Sequence, residues 1–270
     1  VSHADNVFAG SVPELYETLL VPLIFEPYAA DLKQRVSSLK TSRILEIAAG
    51  TGVVTRALAS LPGPARAITA TDLNQAMLDQ AARMGTAQPV KWQQADAMAL
   101  PFADGAFDTV VCQFGAMFFP DKARAFAEAR RVLEPGGTFL FNVWDQIAEN
   151  EFADLVTTAL EEVFPEDPPR FLARTPHGYH DSSLAAQDLA NAGFEAKPQV
   201  HTVTARSRAV SPNAPALAYC HGTPLRNEIL ARDPSGLAKA TEVATAAIAK
   251  RFGAQAVDGK IQAHVILVER

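Results

Sequence analysis

The sequence predicts an α/β protein built on an open, doubly wound, mostly parallel sheet. Short apolar runs without polar alternation, such as RILEIA at 43–48, read as strands buried on both faces. Segments of helical spacing, closed by glycine or proline, alternate with them. Right-handed crossovers then align the C-terminal ends of the strands along one edge, where such folds bind ligands.

The elements follow in order. Residues 13–40 place Leu15, Leu19, Leu20, Leu23, Ile24, Tyr28, Leu32 and Val36 at helical spacing, with a break or kink expected near Pro22 and Pro27. RILEIA is the first strand, and VVTRALASL (53–61) a helix closed by Pro62-Gly63-Pro64. ARAITATD (65–72) is the second strand, and NQAMLDQAARMG (74–85) a helix stopped by Gly85. VKWQQAD (90–96) and FDTVVCQFG (107–115) are the third and fourth strands. DKARAFAEARRVLEPGG (121–137) is a helix with a glycine stop, and GTFLFNVW (137–144) the fifth strand. Residues 149–164 form an amphipathic helix, PEDPPRFLARTP (165–176) a proline-rich loop, and LAAQDLANAGF (184–194) a helix with a glycine end. PQVHTVTARS (198–207) and IQAHVILVER (261–270) read as strands. Between them 212–256 is alanine-rich and helical, broken at Asp233-Pro234. One domain over 1–270 is expected, because the late segments look like additions around the same sheet.

Composition removes several classes. A net charge of −6 argues against a general nucleic-acid binder, and no apolar run reaches the length of a membrane span. Two cysteines, Cys112 and Cys220, have no metal-ligand spacing, so neither a metal site nor a disulfide framework is expected and a cytoplasmic location is the default. The first ten residues, VSHADNVFAG, lack the pattern of a signal peptide.

The stretch EIAAGTGVVT (46–55) suits a ligand held by backbone, either a dinucleotide or S-adenosylmethionine (SAM). The third glycine of G-x-G-x-x-G, which serves a pyrophosphate, is absent here. Glu46 lies four residues before Gly50, Asp72 ends the second strand and Asp96 the third. Three acids along one sheet edge suit a cationic adenosine ligand and would repel two phosphates. An NAD(P)-linked oxidoreductase remains as a remote alternative.

In their joint order, EIAAGTGVVT, ATDLN, QADAMALPFADGAFDTVV and RVLEPGGTFLF resemble the class I SAM-dependent methyltransferases, especially the small-molecule and quinone-biosynthesis subgroup. The resemblance covers about 43–145. It implies a seven-stranded sheet with the last strand antiparallel, and SAM as cofactor with S-adenosylhomocysteine as product. Carried over, Glu46 and the turn Ala48, Ala49, Gly50 and Gly52 would sit by the methionine part. Asp72 would hold the ribose, Leu73 would pack on the adenine with Met77 close by, and Asp96 and Ala97 would meet the adenine edge. Gln113 would face the transferred methyl. Many relatives have glycine where this chain has Ala48; alanine implies negative φ there. Tyr16 and Tyr28 lie where relatives fold a helix over the donor, with Tyr28 assigned to the cofactor and core packing left open for both.

Methyl transfer from a sulfonium needs alignment, and needs a base only when the acceptor must lose a proton. Phe114, Met117 and Phe118, after the fourth strand, suit an apolar acceptor pocket. RTPHGYHD (174–181) offers His177 and His180 as candidate catalytic bases and Tyr179 as a lining residue; Asp181 or Ser182 capping the next helix is the other reading. Tyr219, His221 and Arg226 of YCHGTPLR are candidates for the acceptor mouth. The organisation expected is a helical cap at 1–40, a SAM-binding core at 41–145, and lid segments at 146–180 and 212–256. The reaction expected is methyl transfer from SAM to O, C or N of a small, partly apolar molecule, by a monomer or homodimer with no nucleic-acid partner. A SAM-binding protein that has lost transfer is the alternative.

Overall fold

The computed structural model describes residues 12–270; the first eleven positions, including the stretch tested for a signal peptide and the start of the expected 1–40 cap, lie outside the described residues. Seven strands form one sheet in the order β3-β2-β1-β4-β5-β7-β6. They are β1 (Arg43–Ile47), β2 (Ala67–Asp72), β3 (Val90–Gln94), β4 (Phe107–Gln113), β5 (Leu133–Trp144), β6 (Gln199–Ala209) and β7 (Val257–Glu269). β1 to β5 are mutually parallel; β7 runs antiparallel between β5 and β6. This is the doubly wound sheet with an antiparallel last strand.

β1 is buried on both faces, as its unbroken apolar run requires. Ile44, with Val111, Leu140 and Val265, faces α2 (Glu26–Ser37) and α3 (Val53–Ala59). Leu45, with Val110, Phe139 and Phe141, faces the opposite core, to which α5 (Lys122–Val132) adds Phe126. Asp121 caps α5, accepting from the Arg124 amide at 2.9 Å. The chain order before β5 differs from expectation at one point. The helix ends at Val132, and LEPGG runs straight into β5 with an irregular register opposite Phe107 and Thr109. Gly136, at φ +78°, supplies the irregularity.

The N-terminal segment is not broken at its prolines. α1 (Val12–Leu15) leads into a π-helix at Tyr16–Phe25, closed by the Glu26 amide on the Val21 carbonyl, and α2 continues with Pro27 in its first turn. Pro22 has no N–H to give, and the wider turn accommodates its ring inside an unbroken helix. The remaining helices are α4 (Gln75–Met84), α6 (Glu151–Val163), α7 (Phe171–Arg174), α8 (Ser182–Asn191), α9 (Asn213–Gly222), α10 (Leu225–Arg232) and α11 (Leu237–Phe252). α9 packs on the π-helix, and α11 packs on both α6 and α9. Among the described residues, no helix is long and apolar enough to cross a membrane.

Asp108 of β4 ties the start of β1 in place. Its carboxylate accepts from the Thr41 hydroxyl (2.5 Å), the Ser42 amide and hydroxyl (2.8 and 2.9 Å) and the Arg43 amide (2.9 Å). Partial burial would raise its pKa, but these donors hold it below the ordinary aspartate value. The ionised form is therefore worth more in the folded than in the unfolded chain, a contribution present at neutral pH and lost on acidification. Asp108→Asn is expected to lower stability by about 2 kcal/mol at pH 7. Urea unfolding of both proteins checks this, and the difference should shrink below the ordinary aspartate range.

Candidate active site

The C-terminal ends of β1 to β4 surround a cleft. Its shape starts at the reversal between β1 and α3, where Ala48, Gly50 and Gly52 have φ of +55°, +56° and +83°. The reversal is pinned by backbone: the Ala49 amide donates to the Thr71 carbonyl (2.9 Å), and the Gly52 amide to the Ala49 carbonyl (2.9 Å). Asp72, at the end of β2, accepts from the Gly50 amide (2.9 Å) and the Asn74 amide (2.8 Å). Burial raises its pKa, and these backbone donors partly offset that.

Ala48, Gly50, Asp72, Leu73, Met77, Asp96, Ala97 and Gln113 all line this cleft. Asp96 is fixed there by the Met98 amide on Oδ1 (2.8 Å). Leu73 is 50% exposed, an apolar face at the mouth that a flat ligand would cover. The amide of Gln113 donates to the Phe25 carbonyl (3.3 Å), while its buried Oε1 has no partner among the described residues. That leaves an acceptor inside a cleft otherwise edged by carboxylates.

Four residues assigned to the cofactor do not line the cleft. Tyr28 is fully buried, edge-on to Phe114 and Trp144, with its hydroxyl on the Val203 carbonyl (3.3 Å). Tyr16, about three turns earlier at the start of the π-helix, lines the cleft instead. Ala49 is turned inward by its bond to β2. Gly52 faces Trp92 and Ala81, where an added Cβ would come within 2.9 Å of the indole, so its role is close packing. Glu46 is 1% exposed beneath the turn and accepts from the Thr55 hydroxyl at 2.5 Å. Burial pushes its pKa up to about 8, against the Thr55 bond and the Arg56 charge.

The expectation of negative φ at Ala48 is also corrected. The turn needs a left-handed residue at this position, which glycine adopts at less cost than alanine. Gly115, after β4, accommodates the methyl: a Cβ there would lie 2.5 Å from that of Ala48.

A second pocket adjoins the first, sharing Tyr16, Phe114 and Phe118 with it. Phe114 is left-handed too (φ +52°), its amide held by Oδ1 of the buried Asn142 (2.9 Å), and its ring stacks on Trp144 at 3.8 Å. Met117, Tyr219 and His177 complete the predicted residues in this wall. Nδ1 of His177 lies 2.8 Å from the Asp145 carbonyl, and burial lowers its pKa to about 4. The imidazole is thus neutral at physiological pH, and the carbonyl fixes the proton on Nδ1.

The other predicted acceptor residues lie elsewhere. His180 is exposed, with Nδ1 2.9 Å from the His177 carbonyl. Tyr179 donates to Asp188 (2.5 Å) under the Lys122 ammonium. His221 contacts the Thr241 hydroxyl (3.0 Å), and Arg226 lies outside the pocket wall. Asp181 does cap α8, accepting from the Ser183 amide (2.8 Å), which accounts for the end of that loop. Trp144, Phe25 and Phe171 were missed. Trp144 was legible as the last residue of a strand, at the ligand-binding edge; the other two lie in segments whose placement no local pattern gives. Among the described residues, no three His, Cys, Asp or Glu side chains converge on a possible metal site.

Strand order and cleft position together define a Rossmann-like methyltransferase fold. A family model described as a methyltransferase domain matches residues 45–141. Over 167 residues the chain is 33% identical to the ubiquinone/menaquinone biosynthesis C-methyltransferase UbiE of Ectopseudomonas mendocina, covering 57% of this chain and 65% of that one, just under two thirds. With UbiE of Saccharophagus degradans it shares 30% over 175 residues, 60% of this chain and 70% of the relative. Phosphoethanolamine N-methyltransferase 2 of Haemonchus contortus, solved with S-adenosylhomocysteine, superposes with a TM-score of 0.62 at 18% identity, over 100% of this chain and 61% of that one. The YcgJ protein of Bacillus subtilis gives 0.56 at 19%, over 90% and 98%. At those identities the structures speak for the fold alone. The chain belongs to the class I SAM-dependent methyltransferases of small-molecule type. These relatives lend the oxidoreductase alternative no support.

Two measurements follow from the geometry. Ala48→Gly is expected to stabilise by about 1 kcal/mol by relieving the left-handed alanine, and to offset part of the loss caused by Gly115→Ala. A double-mutant cycle of thermal unfolding reads both. Glu46 binds its proton more tightly folded than unfolded, so its contribution to stability is complete below its unfolded pKa and declines as pH rises towards 8. Glu46→Gln should therefore unfold at higher urea than the parent at pH 8, by on the order of 2 kcal/mol, with little difference at pH 4.

Proposed function

We propose that this chain transfers the methyl group of SAM to a small, largely apolar acceptor. The first cleft is assigned to the donor and the second pocket to the acceptor. The observation that carries this is the junction of the two: Tyr16, Phe114 and Phe118 wall both, so a methyl leaving one enters the other without crossing solvent. Asp72 takes the ribose hydroxyls, Asp96 and Ala97 the adenine edge, and Leu73 the adenine face. Gln113 presents its free Oε1 to the charged methionine end. Glu46, buried below and held mostly protonated, supports the turn through the Thr55 hydroxyl.

The protein's part in the reaction is alignment and exclusion of water. The donor supplies an activated methyl. Acceptor approach is limited by the π-helix, by residues 171–177 and by α9, which we assign to a cap over the second pocket. The names of the sequence relatives make carbon the first atom to test in the acceptor. Two buried free cysteines suit a reducing compartment, and the cytoplasm is the location proposed. A monomer completes both pockets; a homodimer is the other state to test.

Titration calorimetry with SAM and S-adenosylhomocysteine tests the donor assignment. Asp72→Ala is expected to weaken binding at least tenfold by removing the carboxylate that receives the ribose. Equal affinity in parent and variant would contradict the assignment. Label from methyl-labelled SAM appearing in an extractable small molecule tests transfer, and donor binding without any transfer would favour the inactive alternative.

A further inference from the structure

The second pocket carries more information than its apolar character. Its wall is drawn from the π-helix, the segment after β4, the stretch from Trp144 to His177, and the end of α9. No Asp, Glu, Lys or Arg is in it. A charged acceptor would lose its hydration there without gaining a counter-charge. Two of the wall's polar side chains are already committed. Asn150 donates to the Gln262 carbonyl (3.3 Å) and accepts from its amide (3.1 Å); the Thr223 hydroxyl donates to the Tyr219 carbonyl (2.7 Å) and accepts from the Leu225 amide (3.1 Å). His177 differs. Its Nδ1 is spent on the Asp145 carbonyl, so Nε2 is the ring nitrogen with a lone pair to offer, and it makes no hydrogen bond among the described residues. The ring is held in place by that carbonyl and by Trp144, 5.9 Å away between centroids.

We propose that the acceptor is an uncharged ring compound bearing a hydroxyl, seated beside the Phe114–Trp144 stack with that hydroxyl donating to Nε2 of His177. This rests on the assignment of the second pocket to the acceptor. His177 then acts by selecting and orienting, since a neutral acceptor nitrogen distinguishes a hydroxyl from its methyl ether, and the charge-free wall distinguishes both from ions. The residues concerned lie mostly outside 45–141, so this selectivity belongs to the chain's own additions to the family core.

Calorimetry on the full chain with S-adenosylhomocysteine bound tests it, using four probes of one size: 1-naphthol, 1-methoxynaphthalene, 1-naphthoate and 1-naphthylmethylammonium. Naphthol is expected to bind about tenfold more tightly than its methyl ether, and neither ion is expected to bind measurably. In His177→Phe, naphthol should fall to the affinity of the ether while the homocysteine product binds as before. Equal binding of naphthol and ether by the parent protein, no binding of naphthol, or tighter binding of either ion would overturn the proposal. If the variant does not fold, the four-probe series on the parent protein still decides. Should S-adenosylhomocysteine not bind, the donor assignment falls separately, and the same series on the free protein tests the acceptor pocket.

Discussion

The reversal between β1 and α3 is the constraint from which the remaining arrangement follows. A strand buried on both faces has no side of its own to give a ligand, so polar recognition is confined to the place where its ladder stops. Three left-handed residues within five positions turn the chain sharply there, and the turn's amides are shared between β2 and the Asp72 carboxylate. Arg56 extends the same constraint outward. It donates to the Thr51 carbonyl (2.7 Å) and to Glu17 of the π-helix (2.6 Å), joining the N-terminal segment to the turn. The wall over the second pocket is thus anchored to the floor of the first cleft.

The other left-handed residue that is not glycine, Phe114, plays the matching part just after β4. An aromatic residue is disfavoured there by about 1 kcal/mol or more, and the surroundings must hold it. Asn142 on β5 does so with both its backbone carbonyl and side-chain oxygen on the Phe114 amide, leaving its own amide nitrogen without a partner. The ring is thereby laid flat on Trp144, between the two pockets. Strain at Phe114 and an unsatisfied amide on its partner Asn142 thus meet beside the boundary of the two pockets, a place where geometry is held at the expense of stability.

The fold was largely legible because its signals are local: apolar runs of strand length, helical spacing and glycine stops, each repeated in alternation. The cleft was legible where a residue's position follows from its place at a strand end, as for Asp72, Asp96 and Gln113. Reading failed where the sign of a backbone angle or the direction of a side chain decides. Ala48 was assigned negative φ from its residue type, yet the turn imposes the opposite and Gly115 makes room. Glu46 sits at the expected place in the chain but points beneath the turn to Thr55. Tyr28 and Tyr16 share one amphipathic segment, and the π-register between them changes which of the two reaches the cleft. In the second pocket, RTPHGYHD stands out in the sequence as a titratable cluster, but only packing separates His177, against Trp144, from the exposed His180. His221 and Arg226 had no local pattern to place them.

The acceptor wall has a consequence for how such a protein changes over generations. Its parts come from four regions distant in sequence. Replacements at Leu20, Phe171, Leu172 or Tyr219 alter the space offered to an acceptor without touching the strand ends that form the donor cleft. Tyr16, Phe114 and Phe118 have no such freedom, because they front both spaces. On the proposed assignment of the two pockets, new acceptor preferences would arise first at the outer wall, with these three aromatics as the fixed boundary across which every variant must still pass a methyl.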